Sequence, residues 1–238
     1  MSEYWLIVAA LGTSAVAGVF GMGGGVLLIT LMPGLVPAAA IIPLHAATQL
    51  ASNGSRALFS WRHIDASLIL PFLGGALAGA VLGARVFQHL DLHWLPALIG
   101  IFILAITWLP LPLVKGEGRW PLLLLGFYQT AIGMLVGATG PLGAAVLARR
   151  NAQRDWLVVN TAVYMGGSHL LKMLAFGMMG FAFADDWLLL LGMVVGVIAG
   201  SWLGTQLRQA VPQGNFLFWF RLLVSVLALR MILLVVVA

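Results

Sequence analysis

The chain contains no cysteine, and only 8% of its 238 residues carry charge. The absence of cysteine excludes disulfides, thiolate nucleophiles and thiolate metal sites, without fixing the compartment. The shortage of charge excludes more. A soluble domain has charge on about a quarter of its residues, whereas this chain has 12 basic and 7 acidic side chains. So few cannot coat a water-soluble globule, which removes cytosolic enzymes, nucleic-acid binders and disordered regulators. Metal and catalytic signatures are missing too: there is no HExxH, GxSxG or GxxxxGK[ST], and no pair of intramembrane aspartates. No cofactor, metal or catalytic residue is expected, and no nucleic-acid partner.

What is present is apolar. Hydrophobic residues make up 62% of the chain and the mean hydropathy is +1.06. That composition belongs to an all-α integral membrane protein, with the lipid bilayer as its surroundings. The net charge of +5 then reflects the bias of Lys and Arg toward cytoplasmic loops. Apolar stretches fall at about 4–32, 41–61, 66–88, 92–114, 120–148, 156–180, 186–207 and 215–237. The N-terminal stretch has Glu3 where a signal peptide would be basic, so it counts as structure. The first and fifth stretches are long and interrupted, by Gly21-Met-Gly23-Gly24-Gly25 and by Gly137-Ala-Thr139-Gly140-Pro141. Clustered glycine and proline break a membrane helix and free backbone groups that need partners.

The halves repeat. A shift of 116 residues lays Ser14 on Thr130, Gly21 on Gly137, Ser52 on Ser168 and Arg56 on Lys172. Five residues beyond that register, Gly75, Gly79 and Gly83 match Gly196, Gly200 and Gly204. Small residues at this spacing let helices approach closely in lipid. The expected organisation is two membrane repeats, 1–115 and 116–238, each a broken, re-entrant helix followed by three transmembrane helices. Loop charge favours an inverted pair. If each broken segment leaves by the face it entered, Arg62, Lys115, Arg119, Arg149, Arg150, Arg154 and Arg208 share one side. Arg85 then lies opposite with Glu3, Asp91, Asp185 and Asp186, as the positive-inside rule requires.

Arg56 and Lys172 fall inside apolar stretches, where an ionised side chain is costly and marks a functional candidate. The competing reading is that both snorkel to a headgroup. Each lies four residues after a serine, Ser52 or Ser168, so hydroxyl and cation share a helix face. All seven carboxylates, Glu3, Asp65, Asp91, Glu117, Asp155, Asp185 and Asp186, lie in or near loops. An anionic substrate can serve as the missing partner. Half-helices restarting at Gly23, Gly24 and Gly25, and at Thr139 and Gly140, would offer free N–H groups and a positive dipole end. The other use of these glycines is tight packing. Asn53 and His169 occupy matched positions and complete the candidate set. His45 and His169 are the histidines able to link transport to protons, or they are polar contacts between helices. Gln49, Asn160 and Tyr164 add polarity of unassigned direction.

These residues resemble a known family. Gly18-Val-Phe-Gly-Met-Gly-Gly-Gly-Val26, a proline-flanked turn, an Ala-Thr-rich helix with Ser52-Asn-Gly-Ser55, and the later glycine patterns are similar to the TauE/SafE sulfite exporters of the toluene sulfonate uptake permease group. The second break departs from the first, with Thr139 and Pro141 where glycines stand earlier. The resemblance implies a multi-pass transporter of the bacterial inner membrane, moving sulfite, sulfoacetate or another organosulfonate. The expected mechanism is secondary transport by alternating access. An anion channel and a non-transporting assembly subunit are the alternatives, and a homo-oligomer is compatible with each.

Overall fold

Glycine and proline fall where the helices stop. The computed structural model describes residues 2–109, 118–151, 153–211 and 215–237. Among them are ten α-helices: α1 (Trp5–Phe20), α2 (Gly24–Leu31), α3 (Ala38–Phe59), α4 (Ile69–Gln88), α5 (Leu95–Trp108), α6 (Arg119–Val136), α7 (Gly140–Leu147), α8 (Arg154–Met178), α9 (Trp187–Leu207) and α10 (Phe216–Val236). No β-strand occurs among the described residues. Lys115, Glu117 and the expected boundary between residues 115 and 116 lie outside them.

The two interrupted stretches are the helix pairs α1–α2 and α6–α7. α1 ends at Gly21, whose φ of 80° is left-handed and whose N–H bonds to the Ala17 carbonyl. Gly23 follows with φ 93°. The chain then doubles back. A methyl group on Gly24 would strike the Thr13 carbonyl oxygen and stand 2.7 Å from the Ala17 methyl. In a straight helix those residues would be separated by about 16 Å along the axis from Thr13 to Gly24. The second break repeats the reversal: α6 stops at Gly137, φ 73°. The Thr139 hydroxyl donates to the Gln129 carbonyl at 3.1 Å. After α7, Arg150 reaches the Gly118 carbonyl at 3.0 Å, beside the residue that starts α6.

Packing follows the glycine stripes. Methyls on Gly75 and Gly79 of α4 would collide with the carbonyls of Leu123 and Phe127 in α6, and one on Gly83 would come within 2.7 Å of the Ala131 carbonyl. On α9, Gly196, Gly200 and Gly204 meet the carbonyls of Ile7, Leu11 and Ala15 of α1 in the same way. Those two sets of carbonyls are related by the same 116-residue shift. Hydroxyl pairs obey it as well: Ser14 bonds Ser52 at 2.7 Å, and Thr130 bonds Ser168 at 3.0 Å. The central pair is α3 against α8, and α5 packs on α10.

Ala66–Gln88, Trp187–Leu207 and Phe216–Val236 are long and apolar enough to cross a membrane, and α1 and α5 are shorter apolar helices. α3 and α8, at 22 and 25 residues, have the length but not the hydropathy. Their polar residues are buried at the centre, whereas α9 and α10 expose Trp202, Leu203, Trp219 and Leu223. Two cations assigned to loops reach inward instead. Arg208 donates to the Gly18 carbonyl at 2.8 Å and pairs with Asp155 at 2.8 Å, and Arg154 donates to the Val19 carbonyl at 2.6 Å. They satisfy carbonyls at the negative end of α1.

Candidate anion-binding site

Both breaks open onto one small cavity of about 40 Å³, room for a few water molecules. Gly21 to Val26 form one wall, Ala138, Gly140 and Pro141 form another, and α3 and α8 close the remainder. The half-helices α2 and α7 therefore both begin here. Neither has a side-chain cap, since Gly23 has no side chain and Thr139 turns its hydroxyl to Gln129. Uncapped first-turn N–H groups and the positive dipole end favour an anion. Pro141 lacks an N–H, so the first half supplies more backbone donors than the second.

Seven of the expected residues line the cavity: Gly23, Gly24, Gly25, Asn53, Arg56, Gly140 and His169. Arg56 is 4% exposed, which excludes snorkelling to a headgroup in this structure. Its Nη2 donates to Asn53 Oδ1 at 2.7 Å, and the Asn53 amide donates to the Gln49 carbonyl at 2.7 Å. Ser52, Thr139, Ser168 and Lys172 are fully buried but lie outside the lining, each in a bond of its own. Ser52 binds Ser14, Ser168 binds Thr130, and Thr139 binds the Gln129 carbonyl. Lys172 Nζ donates to the Gly137 carbonyl at 2.7 Å, holding the end of α6.

His45 and Gln49 join the lining, as do Met22, Met165 and Thr161. Thr161 had no motif to announce it, but the 116-residue shift places it on His45. Gln49 explains the third glycine, because a methyl on Gly25 would press its Oε1 at 3.1 Å.

Four lining residues keep a buried polar atom without a partner: His45 Nδ1, Arg56 Nε, Thr161 Oγ1 and His169 Nδ1. Each such atom costs about 1–3 kcal/mol if it stays unpaired, and all four sit around this one cavity. The described lining contains no carboxylate. Among the described residues no group of three or more His, Cys, Asp or Glu is placed to hold a metal ion. A larger, mostly apolar cleft of about 300 Å³ shares Met22, Val26 and Pro141 with the cavity and carries Arg221.

No curated protein and no solved structure matches the chain. The model of the family described as sulfite exporter TauE/SafE matches residues 6–231, nearly the whole length. With ten helices among its described residues, apolar spans and a buried cationic cavity between two chain reversals, the chain belongs to the TauE/SafE sulfite exporter family of membrane transporters.

Proposed function

We propose that this protein is a secondary transporter of the bacterial inner membrane that carries a small sulfur-containing anion, sulfite or an organosulfonate, by alternating access. The observation that carries the reading is the cavity: two uncapped half-helix starts and the Arg56 guanidinium converge on it, with no lining carboxylate to neutralise them. Arg56 supplies charge and Nε–H, while Gly24 and Gly25 supply backbone N–H groups. Asn53 orients Arg56, Gly140 admits the ligand closely, and Thr161 and His169 add polar contacts. Ser52, Ser168, Thr139 and Lys172 frame the site from behind.

The reading includes two inverted repeats, 1–115 and 116–238, with α1–α2 and α6–α7 re-entrant. Three contacts support it: Arg150 beside Gly118, Asp155 with Arg208, and Asn160 donating to the His63 carbonyl at 2.9 Å. They draw the ends of α3, α7 and α9 and the starts of α6 and α8 to one end of the bundle, the arrangement loop charge favours. The apolar cleft beside Met22 and Pro141 is the proposed route by which the cavity opens to one side.

The test is a thermal-shift screen of purified protein against sulfite, sulfate, thiosulfate, sulfoacetate and taurine. One or more sulfur anions should raise Tm, by about 2.7 kcal/mol of stabilisation at one hundred times Kd. Arg56→Met should abolish the shift. An unshifted wild type, or an unchanged shift in the variant, refutes the assignment.

A further inference from the structure

One group in the cavity cannot be satisfied by an oxyanion alone. His45 Nε2 lies 2.9 Å from the Gly25 carbonyl oxygen. A carbonyl only accepts, so Nε2 carries the hydrogen, and in the neutral ring Nδ1 is a bare lone pair. That Nδ1 is buried without a partner, and a methyl built on Gly137 would stand 3.5 Å from it. Arg56 Nε–H and the first N–H groups of α2 are donors, matched to anion oxygens. His45 Nδ1 is an acceptor, and an anion brings it nothing.

One proton resolves the mismatch. On Nδ1 it turns the imidazole into a cation beside the anion, and on an anion oxygen it supplies the hydrogen that Nδ1 lacks. The proton count is the same in both descriptions. Resting on the reading of this cavity as the anion site, we propose that His45 is the proton site of transport and that one proton travels with each anion. The proton comes from water on the loading side, forms the N–H bond at Nδ1, and returns to water on the other side.

The surroundings make the two ligands interdependent. Beside His45 are His169 and Lys172 from α8, while Arg56 lines the same cavity about 16 Å further along α3. The His169 ring centroid lies 5.6 Å from that of His45, edge to face. At the α6 break the Gly137 backbone adjoins it. No carboxylate occurs among the described lining residues. The Lys172 ammonium and a proton on His45 repel each other, and a seated anion offsets that repulsion. Anion and proton therefore each raise the other's affinity by the same factor. His169 does not fill this role, since no hydrogen bond among the described residues fixes its tautomer and its repeat partner is Asn53.

The experiment measures radiolabelled sulfite at zero net flux in proteoliposomes of the full chain, with potential clamped at zero and flux in protein-free vesicles subtracted. With one proton per anion, the sulfite dianion ratio across the membrane follows the pH difference, about tenfold for each unit. His45→Gln keeps a donor for the Gly25 carbonyl and removes the proton site, so its dianion ratio should stay at one whatever the pH difference. A wild-type ratio independent of pH overturns the proposal while leaving the transporter reading intact. A His45→Gln ratio that still follows pH also overturns it. If that variant does not fold, the wild-type ratio decides alone. Wild type that carries no sulfite overturns the transport reading and this proposal together.

Discussion

Adding one methyl group to Gly200 should loosen the contact between α9 and α1. The new Cβ would fall inside the Leu11 carbonyl oxygen, and it would also stand 3.0 Å from the Leu11 carbonyl carbon and 3.1 Å from Ala15 N. All three are backbone atoms of a packed helix, so no side chain can rotate away. Overpacking of this kind costs about 1–3 kcal/mol, and a rigid backbone obstacle belongs at the upper end. Replacing glycine by alanine within a helix returns up to about 1 kcal/mol. The net expectation for Gly200→Ala is a loss of about 2 kcal/mol, a factor of about 30 in the folded population. Gly12→Ala is the internal control, because nothing lies within 4 Å of its added Cβ, and only the gain of up to about 1 kcal/mol applies. Gly79→Ala is the matched test in the other half, since its Cβ would meet the Phe127 carbonyl. Thermal unfolding of the three purified variants in one detergent should rank Gly12→Ala at or above wild type, with Gly200→Ala and Gly79→Ala well below and close together. A Gly200→Ala variant as stable as Gly12→Ala would refute the close approach. A wide gap between Gly200→Ala and Gly79→Ala would refute the equivalence of the halves.

Two further outcomes follow from the site and its topology. Single cysteines at Ala39 and Gln153 should label from opposite faces of sealed vesicles, because the inverted arrangement puts the start of α3 and the start of α8 on different sides; labelling from one face sinks it. Lys172→Met should lower Tm through the orphaned Gly137 carbonyl, a cost of about 1–3 kcal/mol, and should slow sulfite flux in proteoliposomes while keeping the anion-induced thermal shift that Arg56→Met loses. Loss of that shift in folded Lys172→Met would put the ammonium in contact with the anion.

The broken helices were legible because glycine and proline have local consequences. Gly21, Gly23 and Gly137 adopt positive φ, a conformation that other residues avoid, and sequence alone marks such positions. The glycine stripes were legible for a similar reason, since a small residue every fourth position has one steric meaning in lipid. The roles of the serines were not. Ser52 and Ser168 share a face with Arg56 and Lys172, as spacing requires, but helical spacing does not reveal what stands opposite. That is Ser14 with Ser201 in one half and Thr130 in the other. Thr161 was invisible for the complementary reason: a lone threonine in a helix is ordinary, and its meaning came from the unpaired hydroxyl in the cavity. Arg208 looked like a loop cation and is 2% exposed, because its long side chain reaches the carbonyls ending α1.

The scaffold is nearly equal in its halves, and the site is not. Carbonyls and hydroxyl pairs correspond across the 116-residue shift, and the glycine stripes across a shift five residues longer. Where α3 and α8 meet, the matched residues differ in kind: His45 against Thr161, Asn53 against His169, Arg56 against Lys172. Of these six, five line the cavity and Lys172 turns away to the Gly137 carbonyl. A symmetric frame therefore holds an asymmetric set of donors with a single tautomer-fixed acceptor. A symmetric frame suits a carrier that must present the same cavity to two faces, because the two open states then cost similar energy. Asymmetric lining suits a cargo whose ends differ, an anion with a proton attached to one side. Packing that repeats and polarity that does not are separate demands on one sequence, and they fall on different residues.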